Sequence, residues 1–176
     1  MNEERISKHM IETNKLNFQV FTTKLDDYSV LGYTFKEIDH SKMGEYYSKY
    51  EKNQPLRDFV AKYATPDNRL VGILYGQDFI AGAIVEGITE VPEGTELVKF
   101  PASEFLVITH EYTETEPECY PYIGLTVSYA HSKDVQIPDG YERYYEPNGY
   151  MERFNFNHDD NKFRTEVWFA IRKVKR

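Results

Sequence analysis

A strand, a helical stretch and a strand pair follow one another twice along this chain, and that repeated order constrains the fold more than any single motif. In the first copy, strand-like sequence begins at Phe18, and Tyr28-Ser29-Val30-Leu31-Gly32-Tyr33-Thr34-Phe35 is rich in β-formers. Ser41 is the predicted cap of a tyrosine-rich helix starting near Lys42, and Pro55 opens a second helical stretch. In that stretch Leu56, Phe59, Val60 and Tyr63 recur at i, i+3, i+4 and i+7. The cluster Thr65-Pro66-Asp67-Asn68 ends it, and the runs Leu70 to Tyr75 and Phe79 to Ile88, joined through Gly76-Gln77-Asp78, form a predicted hairpin.

After the turn Val91-Pro92-Glu93-Gly94 the series restarts. Glu96 to Phe100 and Glu104 to Tyr112 are strand-like, Pro117 to Tyr129 is helical, and Tyr141 to Tyr145 and Thr165 to Ile171 close the chain as strands. A long polar connection from Pro147 to Phe163 joins the last two. The expected fold is α+β: tandem β-α-β-β repeats with pseudo-two-fold symmetry, antiparallel sheets with helices on one face, and a central ligand groove where the halves meet. The expected organisation is a polar N-terminal arm, residues 1–17, then one domain, 18–176, made of repeats at about 18–90 and 91–176.

Within the closing strand, alternation puts Glu166, Trp168 and Ala170 on one face and Val167, Phe169 and Ile171 on the other. A carboxylate beside an indole suits an organic cation, the ring contact alone contributing about 0.5–2 kcal/mol.

Charge and composition exclude several classes. With 29 acidic and 21 basic residues the net charge is -8, which argues against a protein that tracks nucleic-acid phosphates. The basic cluster Arg172-Lys173-Val174-Lys175-Arg176 is a short tail, and 17 residues ahead of the domain are too few for a helix-turn-helix. The one cysteine, Cys119, excludes an internal disulfide framework and fits a reducing cytoplasm. No run approaches a membrane span of roughly 18 apolar residues. His9, His40, His110, His131 and His158 form no metal-binding pair, and Asp159-Asp160-Asn161 is read as a solvated loop, so no metal or cofactor is expected. Fifteen tyrosines and 11 phenylalanines supply material for a core and for ligand walls.

Several segments together resemble the GyrI-like small-molecule-binding domain, which also serves as the effector-binding domain of AraC-type and MerR-type multidrug regulators. Val91-Pro92-Glu93-Gly94-Thr95-Glu96-Leu97-Val98-Lys99-Phe100-Pro101-Ala102-Ser103-Glu104-Phe105 is similar to that family's "G-x-E-x-V-x-I-P-A-G-x-Y" run. Asp139-Gly140-Tyr141-Glu142 and, after Pro147, Tyr150-Met151-Glu152-Arg153-Phe154 resemble "S-G-Y-E … P-x-F-E-x-Y". Thr165 to Ile171 resembles the terminal "T-E-I-x-I-P-V" strand. Val127-Ser128-Tyr129-Ala130-His131-Ser132 stands in the region of the family's Trp-Leu-Pro run, and Ala170-Ile171-Arg172 replaces "I-P-V".

The resemblance implies a central pocket in which Glu166 meets bound cations and Trp168 lines the wall. Tyr150 is the candidate hydrogen-bond partner of Glu166 on motif grounds, with Tyr75, Tyr47 and Tyr122 as further wall candidates, each equally readable as core. An empty Glu166 is expected to accept from tyrosine hydroxyls or to have a raised pKa. The expected function is that of a stand-alone cytoplasmic binding protein for lipophilic cations, sensing or sequestering them. The alternative is a hydrolase of strained electrophiles such as cyclopropane-containing toxins, with Glu166 and Tyr150 as catalytic residues. A third option is a protein that protects DNA gyrase or serves a regulator through a protein partner.

Overall fold

The computed structural model describes residues 17–111, 122–157 and 162–176. Among them nine strands form one antiparallel sheet: β1 (Phe18–Leu25), β2 (Tyr28–Phe35), β3 (Val71–Tyr75), β4 (Asp78–Val85), β5 (Glu96–Phe100), β6 (Ser103–His110), β7 (Tyr141–Arg143), β8 (Tyr150–Asn157) and β9 (Lys162–Lys173). The order across the sheet is β1-β6-β9-β8-β3-β4-β2-β5, with β7 pairing to the far end of β9. The N-terminal arm up to residue 16, Cys119 with the expected helix start at 117–121, and the Asp159-Asp160-Asn161 loop lie outside the described residues.

Three α-helices are described, α1 (Met43–Glu51), α2 (Gln54–Val60) and α3 (Tyr122–Ala130). Asp39, rather than the expected Ser41, starts the first: its carboxylate accepts from the Ser41 amide and hydroxyl, because a short 3-10 turn, His40–Lys42, precedes α1. Asn53 caps α2 by accepting from the Leu56 amide at 3.1 Å, with Pro55 in the first turn, and Leu56 and Val60 face the core as the helical spacing predicts. No helix among the described residues is long and apolar enough to cross a membrane.

The largest departure from the sequence reading is β8. Residues 147–163 are expected to be a polar connection, yet Tyr150–Asn157 is a strand in the middle of the sheet, paired to β3 and β9. Polar Glu152 and Arg153 interrupt the apolar pattern, and both are buried.

Cross-strand register assigns the two faces. Ala81, Gly72, Glu152, Val167 and Ile108 form one row across β4, β3, β8, β9 and β6. Both helical covers lie on that face: α1 packs over β2 and β4, around Leu31, Phe79 and Ala81, while α3 packs over β6 and β9, around Ile108, Val167 and Phe169. Strands β8 and β3 run between the two covers.

The opposite row, Ile80, Ile73, Met151, Trp168 and Val107, belongs to an apolar layer that none of the described α-helices covers. That layer is buried because the sheet curls. β5 lies at one margin and β6 beside the other, yet only Pro101 and Ala102 separate them, so Phe100 and Ser103 lie within about 11 Å. Phe100 and Phe105 accordingly meet in one core. A close approach of β2 to β4 helps: Gly32 faces Gly82, and a Cβ on either would lie 2.1 Å from a carbonyl oxygen of the other strand.

Candidate functional site

At the centre of the helix-bearing face Glu152 projects from β8 opposite Gly72 of β3. Gly72 has no side chain, and Tyr47 from α1 fills the space: a Cβ on Gly72 would sit 2.0 Å from the Tyr47 hydroxyl and 2.6 Å from the Phe79 ring. The Tyr47 hydroxyl donates to Glu152 Oε1 at 3.0 Å. Tyr150, two residues before Glu152 and on the same face, brings its phenol towards the same carboxyl and pulls its pKa down. Rings surround the group. Tyr47 packs edge-on against Phe79 at 5.4 Å and Phe154 at 5.3 Å, and Tyr150 lies 5.9 Å from Phe169 and 6.4 Å from His131.

Glu152 is 8% exposed, and among the described residues no lysine or arginine pairs with it. Burial pushes its pKa above the usual carboxylate value, against the pull of the two phenols. Burial, then the nearby Glu152, pushes Tyr47 well above its ordinary value, and burial foremost raises Tyr150 as well. The result is a carboxyl held towards its neutral form among aromatic rings, able to ionise when a cation supplies the missing countercharge.

Gly72→Ala is expected to expel the Tyr47 hydroxyl from its place, costing about 1–3 kcal/mol in chemical denaturation through overpacking and the lost hydrogen bond. Unchanged stability would mean that α1 can withdraw without cost.

Glu166, Trp168 and Tyr75 lie on the opposite, curled-in face. Glu166, 2% exposed, accepts from Arg164 at 2.8 and 3.0 Å and from the Trp168 indole N–H at 3.1 Å. The guanidinium of Arg153 sits over the Trp168 ring at 4.7 Å and bonds outward to Asn68 and to the Asp67 carbonyl. Both features that suggested a cation site, the carboxylate and the indole face, thus hold cations of the protein itself. Tyr75 packs edge-on against Phe100 at 5.6 Å. The expected pairing of Glu166 with Tyr150 is not formed, because register with β9 puts Tyr150 opposite Phe169, on the other face of the sheet.

Tyr122 opens α3 on the helix-bearing face, edge-on to His110 at 5.3 Å. His110 is fully buried: Nδ1 donates to the Glu111 carbonyl at 2.6 Å and Nε2 accepts from the Thr165 amide at 3.0 Å, which fixes the tautomer. Burial lowers its pKa, so the ring stays neutral, and its one lone pair is already engaged although the Thr165 hydroxyl lies 2.9 Å away. It is a structural histidine rather than a base for that hydroxyl. No group of metal-ligating side chains occurs among the described residues.

The six candidates therefore divide. Tyr47 and Tyr150 surround a carboxyl, Tyr122 stands on the same face beside His110, and Glu166, Trp168 and Tyr75 belong to the inner layer. Sequence reasoning missed Glu152, the residue that brings two of them together. Its signal is the alternation Tyr150, Glu152, Phe154, legible once that segment is read as a strand.

No protein-family model matches the sequence, and no curated protein does. Solved structures do. SAV2435, in a structure bound to tetraphenylphosphonium, aligns over 88% of this chain and 94% of its own with a TM-score of 0.59 at 10% identity. A putative bacterial transcription regulation protein from Staphylococcus aureus MU50 aligns over 89% and 99% with a TM-score of 0.57 at 11% identity. EcmrR, in a complex with DNA, aligns over 97% of this chain but 64% of its own, with a TM-score of 0.50 at 16% identity. At these identities the likeness is one of architecture, and it spans most of the chain: the protein has the GyrI-like fold.

Proposed function

We propose that the protein binds lipophilic organic cations on the helix-bearing face between α1 and α3, with Glu152 as countercharge, flanked by the phenols of Tyr47 and Tyr150. The observation that carries this reading is a buried carboxyl without a basic partner among the described residues, ringed by aromatic side chains. A cation entering there gains both the ring faces and an anion in a poorly solvated setting. SAV2435, of the same fold, has been seen with tetraphenylphosphonium, a cation of this class.

The strand order supports the two-repeat reading of residues 18–90 and 91–176. Exchanging β1 with β5, β2 with β6, β3 with β8 and β4 with β9 turns β1-β6-β9-β8-β3-β4-β2-β5 into its own reverse. The pseudo-axis then falls between β3 and β8, beside Gly72 and Glu152, where a central groove is expected. Sensing and sequestration both follow from such a site.

The test is calorimetric titration with tetraphenylphosphonium and with neutral triphenylphosphine oxide, followed by mass spectrometry of the recovered ligand. The cation is expected to bind at least about tenfold more tightly, a difference of about 1.4 kcal/mol, and to be recovered intact. Equal affinity for both would remove the countercharge. A carboxyl flanked by two phenols also has the parts for general acid-base hydrolysis, so recovered electrophilic ligands bearing an added water would make the protein an enzyme.

A further inference from the structure

A second charged group stands on the same face, and it is a cation. Arg143 of β7 lies opposite Ile171 of β9, in the apolar layer under α3. Its guanidinium carbon sits 3.8 Å from the centre of the Phe169 ring and 4.9 Å from that of Tyr145. The Nε atom is sealed from solvent without a hydrogen-bond partner, and among the described residues no carboxylate pairs with the group. The adjacent Glu142 is engaged with Arg172 at 2.8 Å.

Two rings flank the guanidinium, which limits its freedom before a ligand arrives and reduces the entropy lost when its donors are used. The Phe169 ring in turn lies 5.9 Å from that of Tyr150, and the positive charge of Arg143 is felt at the Tyr150 hydroxyl. Arg143, Phe169, Tyr150 and Glu152 therefore follow one another along the face, with the backbone positions of the two charged residues about 13 Å apart by strand geometry. A simple cation fits one end and is mildly repelled by the other.

We propose that the preferred ligand is zwitterionic: an organic cation held at Glu152 that also carries a carboxylate, received in bidentate fashion by Arg143, with an apolar segment lying over Phe169 and Tyr150. This deepens the cation reading and rests on it for the Glu152 end. An arginine with an open donor fork is the side chain best matched to a carboxylate, and its charge-assisted hydrogen bonds are about twice as strong as neutral ones.

The test compares (3-carboxypropyl)triphenylphosphonium with its methyl ester by calorimetry, on wild type, Arg143→Gln, Arg143→Lys and Glu152→Gln. Wild type is expected to prefer the acid by tenfold or more. Arg143→Gln should reduce that preference to within twofold while leaving the ester's affinity unchanged or a few-fold tighter. If Arg143→Gln does not fold, Arg143→Lys, which keeps the charge and loses the fork, should still cut the preference several-fold. Equal binding of acid and ester by wild type, or a preference that survives both Arg143 substitutions, overturns the carboxylate subsite and leaves the cation reading intact. An Arg143-dependent preference accompanied by ester binding that ignores Glu152→Gln has the opposite meaning: the anion end stands and the cation end falls.

Discussion

Glu152→Gln is expected to weaken tetraphenylphosphonium binding by about 100-fold, roughly 2.7 kcal/mol, while raising the melting temperature of the empty protein at neutral pH. The two effects have one cause. Glu152 is buried without a basic partner among the described residues, so its charged form is penalised in the empty protein and needed in the complex. Its folded pKa lies above the unfolded value, so its contribution to stability is fully present below about pH 4.5 and is lost as pH rises through the folded pKa. The gain in melting temperature on going to Gln should therefore be largest at neutral pH and vanish in acid. Cation affinity of the wild type should rise over the same window, since binding expels the proton. Melting curves and titrations from pH 4 to 8 read both, and a substitution that lowers stability at neutral pH would show that Glu152 is a structural group instead.

Glu166→Gln is expected to do the reverse, costing about 2–3 kcal/mol in chemical denaturation and leaving cation affinity within about twofold of wild type. Here the carboxylate already has a guanidinium at 2.8 Å and an indole N–H at 3.1 Å, and an uncharged amide removes the charge facing the 18% exposed Arg164 at that distance. The pair is partly open to water on the arginine side, which keeps the expected loss below that of a fully enclosed ion pair. A tenfold loss of cation affinity with stability unchanged would return the ligand site to the inner face.

The contrast between these glutamates shows how far the sequence could be read. The closing strand was legible because Val167 to Ile171 is an apolar run whose alternation needs no tertiary information, and Glu166 and Trp168 do share a face. Which face carries the helices was not legible, since that depends on the register of β9 with β6 and β8. Arg164 stands two residues before Glu166, so the alternation also places this guanidinium on the face of the carboxylate it pairs with. β8 escaped because buried Glu152 and Arg153 make it look like a connector, and each has hydrogen-bond partners distant in sequence, Tyr47 for one and Asn68 and Asp67 for the other. Tyr47 reads from the sequence as an aromatic wall residue, and its reach into the site depends on the missing side chain of Gly72, which only the fold brings beneath it.

The strands at the sheet margins cross between halves: β1 pairs with β6 and β5 with β2. On the ribosome this imposes a wait. β1 spans Phe18 to Leu25, and its partner runs from Ser103 to His110, so at ordinary elongation rates β1 leaves the exit tunnel about 5–20 s before anything exists for it to pair with. During that interval a strand bearing Phe18, Val20 and Phe21 is a natural client for a nascent-chain chaperone.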